Sequence, residues 1–147
     1  MTIELIELWH KRARPEPTAK DFNVQLGCHL EEVVEMLDTM VFDTPTGEML
    51  GAHTLARSAL ETLSQQLKRG VAHAAVFNRE GFLDSAADQI VTSVGVGHCA
   101  GMQTAEAVER VSQSNWTKTV DGEFIRDANG KISKPATYVA PDLSGLF

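Results

Sequence analysis

The clearest pattern of hydrophobic positions lies early in the chain, where apolar residues recur at spacings of three and four. These residues are Leu26, Leu30, Val33, Val34 and Leu37. The spacing places them on one face of an α-helix, and it predicts a helix from about Ala19 to about Met40. Thr18 and Asp21 have the positions of a capping box at its start, with Asp in place of the usual Glu or Gln.

Four other segments are expected to be helical for related reasons. They are residues 3–12, about 52–69, about 82–101 and about 105–115. The segment that ends near Gly101 consists mostly of apolar and small residues, which predicts a helix buried on several sides. Gly70 is expected to end the second of these helices, and Thr104 to cap the start of the last.

The sequence after about residue 118 loses the helical period. The stretch "GEFIRDANGKISK" has two short strand-like runs around Asn129 and Gly130, a strong signal for a β-hairpin. The last segment, "PATYVAPDLSGLF", contains two prolines and is expected to be an extended arm. We therefore predict one all-α domain over residues 1–147, a four- to five-helix bundle in which residues 118–147 form the hairpin and arm.

The composition indicates the class of protein. The chain has 147 residues, of which 43% are apolar and 22% charged, which is typical of a globular domain rather than a disordered segment. Its net charge of −7 argues against a nucleic-acid partner. No apolar run reaches the roughly 18 residues of a membrane helix, and the acidic start does not have the pattern of a signal peptide. A cytoplasmic protein without a membrane partner is expected.

The stretch "GCHLEEVVEML" carries three glutamates, Glu31, Glu32 and Glu35. Successive residues rotate by about 100° round an α-helix, which places the three glutamates on the side away from the apolar stripe. Like charges at this spacing repel one another, and no Lys or Arg occurs between Lys20 and Arg57 to offset the repulsion. From this helix alone, a solvated acidic face and a metal site both remain open.

A second acidic pair, Asp84 and Asp88, lies in the apolar segment that is predicted to be buried. An aspartate in a buried helix needs a partner, because an unpaired buried charge is costly. If the face of this pair meets the glutamates of the earlier helix, several carboxylates converge. Such a cluster is stable around a hard cation, and oxygen ligands favour Mg²⁺ or Mn²⁺.

Other metal or catalytic centres find less support in the sequence. A di-iron carboxylate bundle needs Glu-x-x-His on two helices, which the chain lacks, and its histidines have no metal-binding spacing such as HExxH. The two cysteines, Cys28 and Cys99, do not form a CxxC pair, so we expect reduced thiols with a structural role.

Four elements of the sequence, taken in order, resemble a known family. They are "EEVVE" (31–35), "LDSAADQIVTSVGVG" with Asp88 as its terminal acid, "SNWTK" (114–118) and "DANGKISKPATYVAPDL". The chain from about Leu26 to Leu143 is thereby similar to the all-α nucleoside triphosphate pyrophosphohydrolases. This superfamily includes MazG, the dimeric dUTPases, the dCTP pyrophosphatases and phosphoribosyl-ATP pyrophosphohydrolase. Its signature is EExxE on one helix and ExxD on a later one.

The resemblance implies a reaction and a set of metal ligands. The reaction is Mg²⁺-dependent hydrolysis of a nucleotide between the α and β phosphates, which gives a monophosphate and pyrophosphate. Glu32, Glu35 and Asp88 are expected to bind metal, and Glu31 to bridge a further metal or act as a general base. The family pattern has Glu where this chain has Ser85, and Asp84 is the acid expected to replace it.

The resemblance also implies substrate contacts and an oligomer. Lys118 is expected to contact phosphates, with Lys131 or Arg126 as further candidates, and Asn115 to bind the sugar or base. A homodimer or homotetramer is expected. The alternative function is an inactive family member that binds a nucleotide or a protein, which the serine at position 85 favours. A purely structural helical oligomer is a third possibility, although it gives the two aspartates no role.

Overall fold

The computed structural model of the chain describes residues 2–48 and 50–147. This part of the chain contains five α-helices and no strand, which confirms the predicted all-α class. The helices are α1 (Thr2–Ala13), α2 (Ala19–Asp38), α3 (Gly51–Lys68), α4 (Arg79–Cys99) and α5 (Thr104–Trp116). No helix among the described residues combines the length and the apolar character that a membrane span requires.

The chain divides into two compact units. The first contains α1, α4, α5 and most of the residues that follow α5. The second contains α2, α3 and the short segment Ala128–Lys131. The single domain that the sequence leads us to expect over residues 1–147 stays a prediction.

In the second unit, α2 and α3 approach each other closely at Gly27. A Cβ atom at this position would lie 2.7 Å from Cγ of Lys68 and 2.9 Å from the carbonyl oxygen of Ser64. The Ser64 hydroxyl donates a hydrogen bond of 2.7 Å to the carbonyl of Gly27. A larger residue at position 27 would therefore push the two helices apart. The buried apolar residues of this unit are Val24, Val34 and Leu67.

In the first unit, α1 and the C-terminal arm both pack on α5. Trp9 on α1 is buried, and its indole N–H donates to the backbone carbonyl of Asn115 at 2.8 Å. The Ser114 hydroxyl donates to the carbonyl of Val139 in the arm at 2.6 Å. The buried Leu146 accepts a backbone hydrogen bond near the start of the same helix. These contacts explain how an arm without secondary structure is held in place.

The start of α2 has the capping box that the sequence predicts. The Thr18 side chain accepts a hydrogen bond from the backbone N–H of Asp21, and the Asp21 carboxylate accepts one from the backbone N–H of Thr18 at 3.0 Å. Two backbone donors at the helix start are thereby satisfied.

We expect Thr18→Ala to lower the free energy of unfolding by about 1 kcal/mol, because the loss of an N-cap costs about 0.5–2 kcal/mol. Urea denaturation of the two proteins measures this difference. Thr54→Ala, at an exposed position inside α3, is the matched control and should not lower the stability, because alanine has the higher helix propensity. Equal effects of the two substitutions would show that the box does not stabilise α2.

The predicted cap of α5 is wrong. Thr104 is the first residue of the helix, and the N-cap is Gln103, whose side chain makes no capping hydrogen bond. The Thr104 side chain instead packs against Gly97 of α4. A Cβ atom at Gly97 would lie 1.9 Å from the hydroxyl oxygen of Thr104. The Thr104 side chain, which the sequence predicts to cap α5, therefore lies at the contact between α4 and α5.

The predicted hairpin is reduced to isolated antiparallel bridges within the described residues. Two are present, Val120–Glu123 and Arg126–Ile132. The backbone N–H of Ser133 also donates to the carbonyl of Ile125 at 2.8 Å. Pro135 comes two residues later and has no N–H with which to continue the ladder.

The expected burial of α4 on several sides is not reached within the first unit. None of the described residues of α4 is buried, and α5 is the helix that packs against it. Its exposed apolar residues include Leu83, Ile90, Val91, Val94 and Val96. A long helix with this composition is expected to be covered in a folded protein, and the first unit by itself leaves it exposed.

Candidate functional site

Four acidic residues follow one another along the second half of α2. They are Glu31, Glu32, Glu35 and Asp38. The first and the last form ion pairs with basic residues from elsewhere in the same unit, whereas no ion pair to the two middle residues occurs among the described residues. In the part of the chain that the structure describes, the outer two acids are thus paired and the middle two are not, which distinguishes this side of α2 from an evenly solvated acidic face.

Glu31 is bound by two lysines. Nζ of Lys68 lies 2.6 Å from Oε1 of Glu31, and Nζ of Lys131 lies 2.8 Å from Oε2. Burial raises the pKa of Glu31, but the hydrogen bonds and charges of the two lysines outweigh it, so that the pKa lies below its ordinary value. The hydrogen bond with Glu31 in turn raises the pKa of Lys131. Glu31 is therefore ionised and oriented.

Asp38, at the other end of the acidic series, is bound by Arg57 from α3. Nε and Nη2 of the guanidinium lie 2.5 Å and 2.9 Å from the two carboxylate oxygens, a bidentate arrangement. The hydrogen bond from Arg57 holds the pKa of Asp38 below its ordinary value. Arg57 also contacts Glu61 one turn later on α3. This cluster joins the helices and has a structural role.

Glu32 and Glu35 are exposed and lie one turn apart. Their carboxylates supply the hard oxygen donors that Mg²⁺ and Mn²⁺ prefer, and an exposed pair leaves room for the water molecules that Mg²⁺ usually retains. The donor set thus fits the expected metal. Among residues 2–48 and 50–147, no three His, Cys, Asp or Glu side chains form a group that could hold a metal ion. The metal site therefore stays a prediction.

Asp84 and Asp88 lie on α4, in the first unit. Both are exposed, so the argument that a buried helix forces them to find a partner does not apply within the first unit. Thr92 bonds the backbone carbonyl of Asp88 rather than its carboxylate, at 2.8 Å. Ser85, where the family pattern has Glu, is exposed on the same helix. The role of this pair as metal ligands stays a prediction.

The residues that are expected to bind the substrate each make a different contact in the structure. Asn115 uses its backbone carbonyl to bind Trp9, and its side chain is half-buried at the end of α5. Nζ of Lys118 lies 5.7 Å from the ring centre of Tyr138. Arg126 donates a hydrogen bond to the carbonyl of Ala13 at the end of α1, which gives it a structural contact.

The sequence does not predict that Lys68 binds Glu31 or that Lys134 lies near Tyr138. Lys68 is 37 residues from Glu31 and is brought to it by the packing of α3 on α2. Lys134 lies 5.1 Å from the ring centre of Tyr138, which Lys118 also approaches. The absence of a nearby cation in the sequence around Glu31 is a signal that a distant one is needed, but it does not identify which.

No family model, curated protein or solved structure matches this chain. The relation to the pyrophosphohydrolases therefore rests on the motifs themselves, and the membership stays a prediction.

Proposed function

We propose that this protein is a Mg²⁺-dependent nucleoside triphosphate pyrophosphohydrolase, which hydrolyses the α–β phosphoanhydride of a (d)NTP. The observation that supports the proposal best is the pairing pattern along α2. Glu32 and Glu35 are exposed without an ion pair among the described residues, whereas Glu31 and Asp38 on either side of them are paired with basic residues. A cation bound by the middle pair would remove their mutual repulsion.

The chemistry asks for positioning and charge neutralisation more than for covalent participation by the protein. Mg²⁺, when bound, would neutralise phosphate charge and activate a water molecule. Glu32 and Glu35 would hold the metal. Glu31 is a weaker base than an ordinary glutamate because the two lysines lower its pKa, so it suits the role of an oriented acceptor. Lys118 is the lysine that the resemblance assigns to a phosphate group.

The activity is tested by measuring pyrophosphate release from a panel of deoxynucleoside and ribonucleoside triphosphates, with Mg²⁺ or Mn²⁺. We expect release from at least one nucleotide, and none after chelation of the metal. If no nucleotide is hydrolysed but one binds in a calorimetric titration, the protein is the inactive, nucleotide-binding member that Ser85 favours. If none binds either, the nucleotide proposal fails.

Metal binding should also be visible in the stability of the protein. We expect Mg²⁺ or Mn²⁺ to raise the melting temperature with increasing concentration, because a ligand that binds the folded state stabilises it, by about 2.7 kcal/mol at 100 times Kd. Differential scanning fluorimetry measures the shift, and Na⁺ at equal ionic strength is the control. An unchanged melting temperature at saturating Mg²⁺, with or without nucleotide, would rule out the metal site.

The exposed apolar residues of α4 support the expected homodimer or homotetramer. α4 has 21 residues, none of which is buried, and an apolar helix of this length is expected to be covered by a partner. We expect Val91→Lys to shift the protein towards monomer in sedimentation equilibrium, because a charge would be buried there. Val71→Lys, at a similarly exposed valine outside α4 (72% against 68%), is the control. An unchanged mass for both variants would remove α4 from any interface.

A further inference from the structure

Lys68 is buried to an extent that is unusual for a lysine. It is the last residue of α3, its side chain is 10% exposed, and its ammonium lies 2.6 Å from Oε1 of Glu31. Lys131 binds the other oxygen of the same carboxylate but is 47% exposed. The two lysines therefore differ in how readily each can leave Glu31, because the buried one has little water to replace the carboxylate.

The backbone of α2 sets the direction of the Lys68 side chain. The Cγ atom of Lys68 lies where a side chain at position 27 would begin, 2.7 Å from the Cβ that Gly27 lacks. The alkyl chain thus lies along α2, and its ammonium reaches Glu31, one helical turn beyond Gly27. The hydrogen bond from Ser64 to the Gly27 carbonyl holds the helices at this distance. Lys131 lies outside the helices, and its side chain is the more exposed of the two.

We propose that Lys68 is a positioning residue, which keeps the Glu31 carboxylate oriented, and that Lys131 exchanges Glu31 for an anionic group of the substrate. Lys131 is the exposed partner, and its ammonium is the one that a polyphosphate can reach. When it leaves, Lys68 still binds one oxygen of Glu31, so the carboxylate keeps its place beside Glu32 and Glu35. The inference rests on the proposed function and assigns a different role to each of the two lysines.

The kinetic test compares the two lysines. We expect Lys68→Met to lower kcat about tenfold or more with less than about a threefold change in KM for the nucleotide, as for other residues that orient a ligand group. Lys131→Met should raise KM about tenfold with kcat changed less than about threefold, because it removes a charged hydrogen bond to substrate. Lys68→Arg should restore part of kcat. Lys20→Met, at an exposed lysine on α2, is the control.

A second measurement does not depend on turnover. Double-mutant cycles with Glu31→Gln, followed by urea denaturation, give the coupling of Glu31 to each lysine. We expect the Lys68 coupling to change the unfolding equilibrium about tenfold or more, and inorganic tripolyphosphate to leave it unchanged. The Lys131 coupling should be about fivefold or less, as for exposed ion pairs, and tripolyphosphate should abolish it.

Three results would overturn the inference. Lys68→Met could retain the kcat of the Lys20→Met control, the two lysines could affect kcat and KM alike, or tripolyphosphate could leave both couplings unchanged. Failure of the proposed function is distinguishable from these, because an absence of hydrolysis by the wild-type protein leaves the tripolyphosphate effect on the couplings to be measured.

Discussion

Glu35→Gln is expected to lower kcat for pyrophosphate release by roughly 100-fold or more, because metal ions contribute several kcal/mol of charge stabilisation and each 1.4 kcal/mol is about tenfold in rate. The amide keeps the shape of the side chain and removes a charged ligand. Since Glu35 is exposed and forms no ion pair among the described residues, the fold should remain intact. Stability without metal should be unchanged or slightly higher, because repulsion from Glu32 falls.

The control for this prediction is Glu48→Gln, which removes an exposed glutamate from the same unit outside the helices. Its turnover should equal that of the wild type. Asp88→Asn provides a separate arm, with the same loss of turnover expected if the resemblance assigns this residue correctly. Wild-type turnover in Glu35→Gln would remove Glu35 from the site, and wild-type turnover in Asp88→Asn would remove Asp88 alone.

Gly27→Ala is expected to lower the free energy of unfolding by about 1–2 kcal/mol. Helix propensity alone favours alanine over glycine by up to about 1 kcal/mol. The added Cβ, however, would lie 2.9 Å from the backbone oxygen of Ser64, which cannot move without α3. Overpacking of this kind costs about 1–3 kcal/mol, and separation of the helices also weakens the hydrogen bond between Ser64 and Gly27.

Gly51→Ala is the matched control, because no atom lies within 4 Å of a Cβ at that position. It should leave the stability unchanged or raise it by up to about 1 kcal/mol. Urea denaturation of the two variants measures the difference. If Gly27→Ala is as stable as Gly51→Ala, the close packing of α2 on α3 is not needed for stability, and the placement of Lys68 would need another cause.

The helices could be predicted because their signals are local. Apolar spacing, the box at Thr18 and the glycine after α3 all act within a few residues, and the predicted ends of α2 differ from the observed ones by no more than two residues. The hairpin signal at Asn129 and Gly130 was also local, but the residues beyond it do not extend the pairing. The exposure of α4 depends on the other elements that pack against it, and the sequence of α4 does not identify those elements.

The candidate site was predictable only in part, for a similar reason. The spacing of Glu31, Glu32 and Glu35 along one helix follows from the sequence, and so does their repulsion. Which of the glutamates is paired with a cation depends on Lys68 and Lys131. These lysines lie 37 and 100 residues from Glu31 in the chain. The sequence indicates that Glu31 needs a distant cation but does not identify it, and the close approach of the helices at Gly27 brings Lys68 to that position.

The most direct test of the central claim is ³¹P NMR of a reaction of the wild-type protein with Mg²⁺ and a deoxynucleoside triphosphate. We predict equal amounts of nucleoside monophosphate and pyrophosphate, with no product when EDTA is present and little with Glu35→Gln. Formation of nucleoside diphosphate and orthophosphate would contradict the proposed bond of cleavage. An unchanged spectrum for every nucleotide in the panel would contradict the enzymatic function itself.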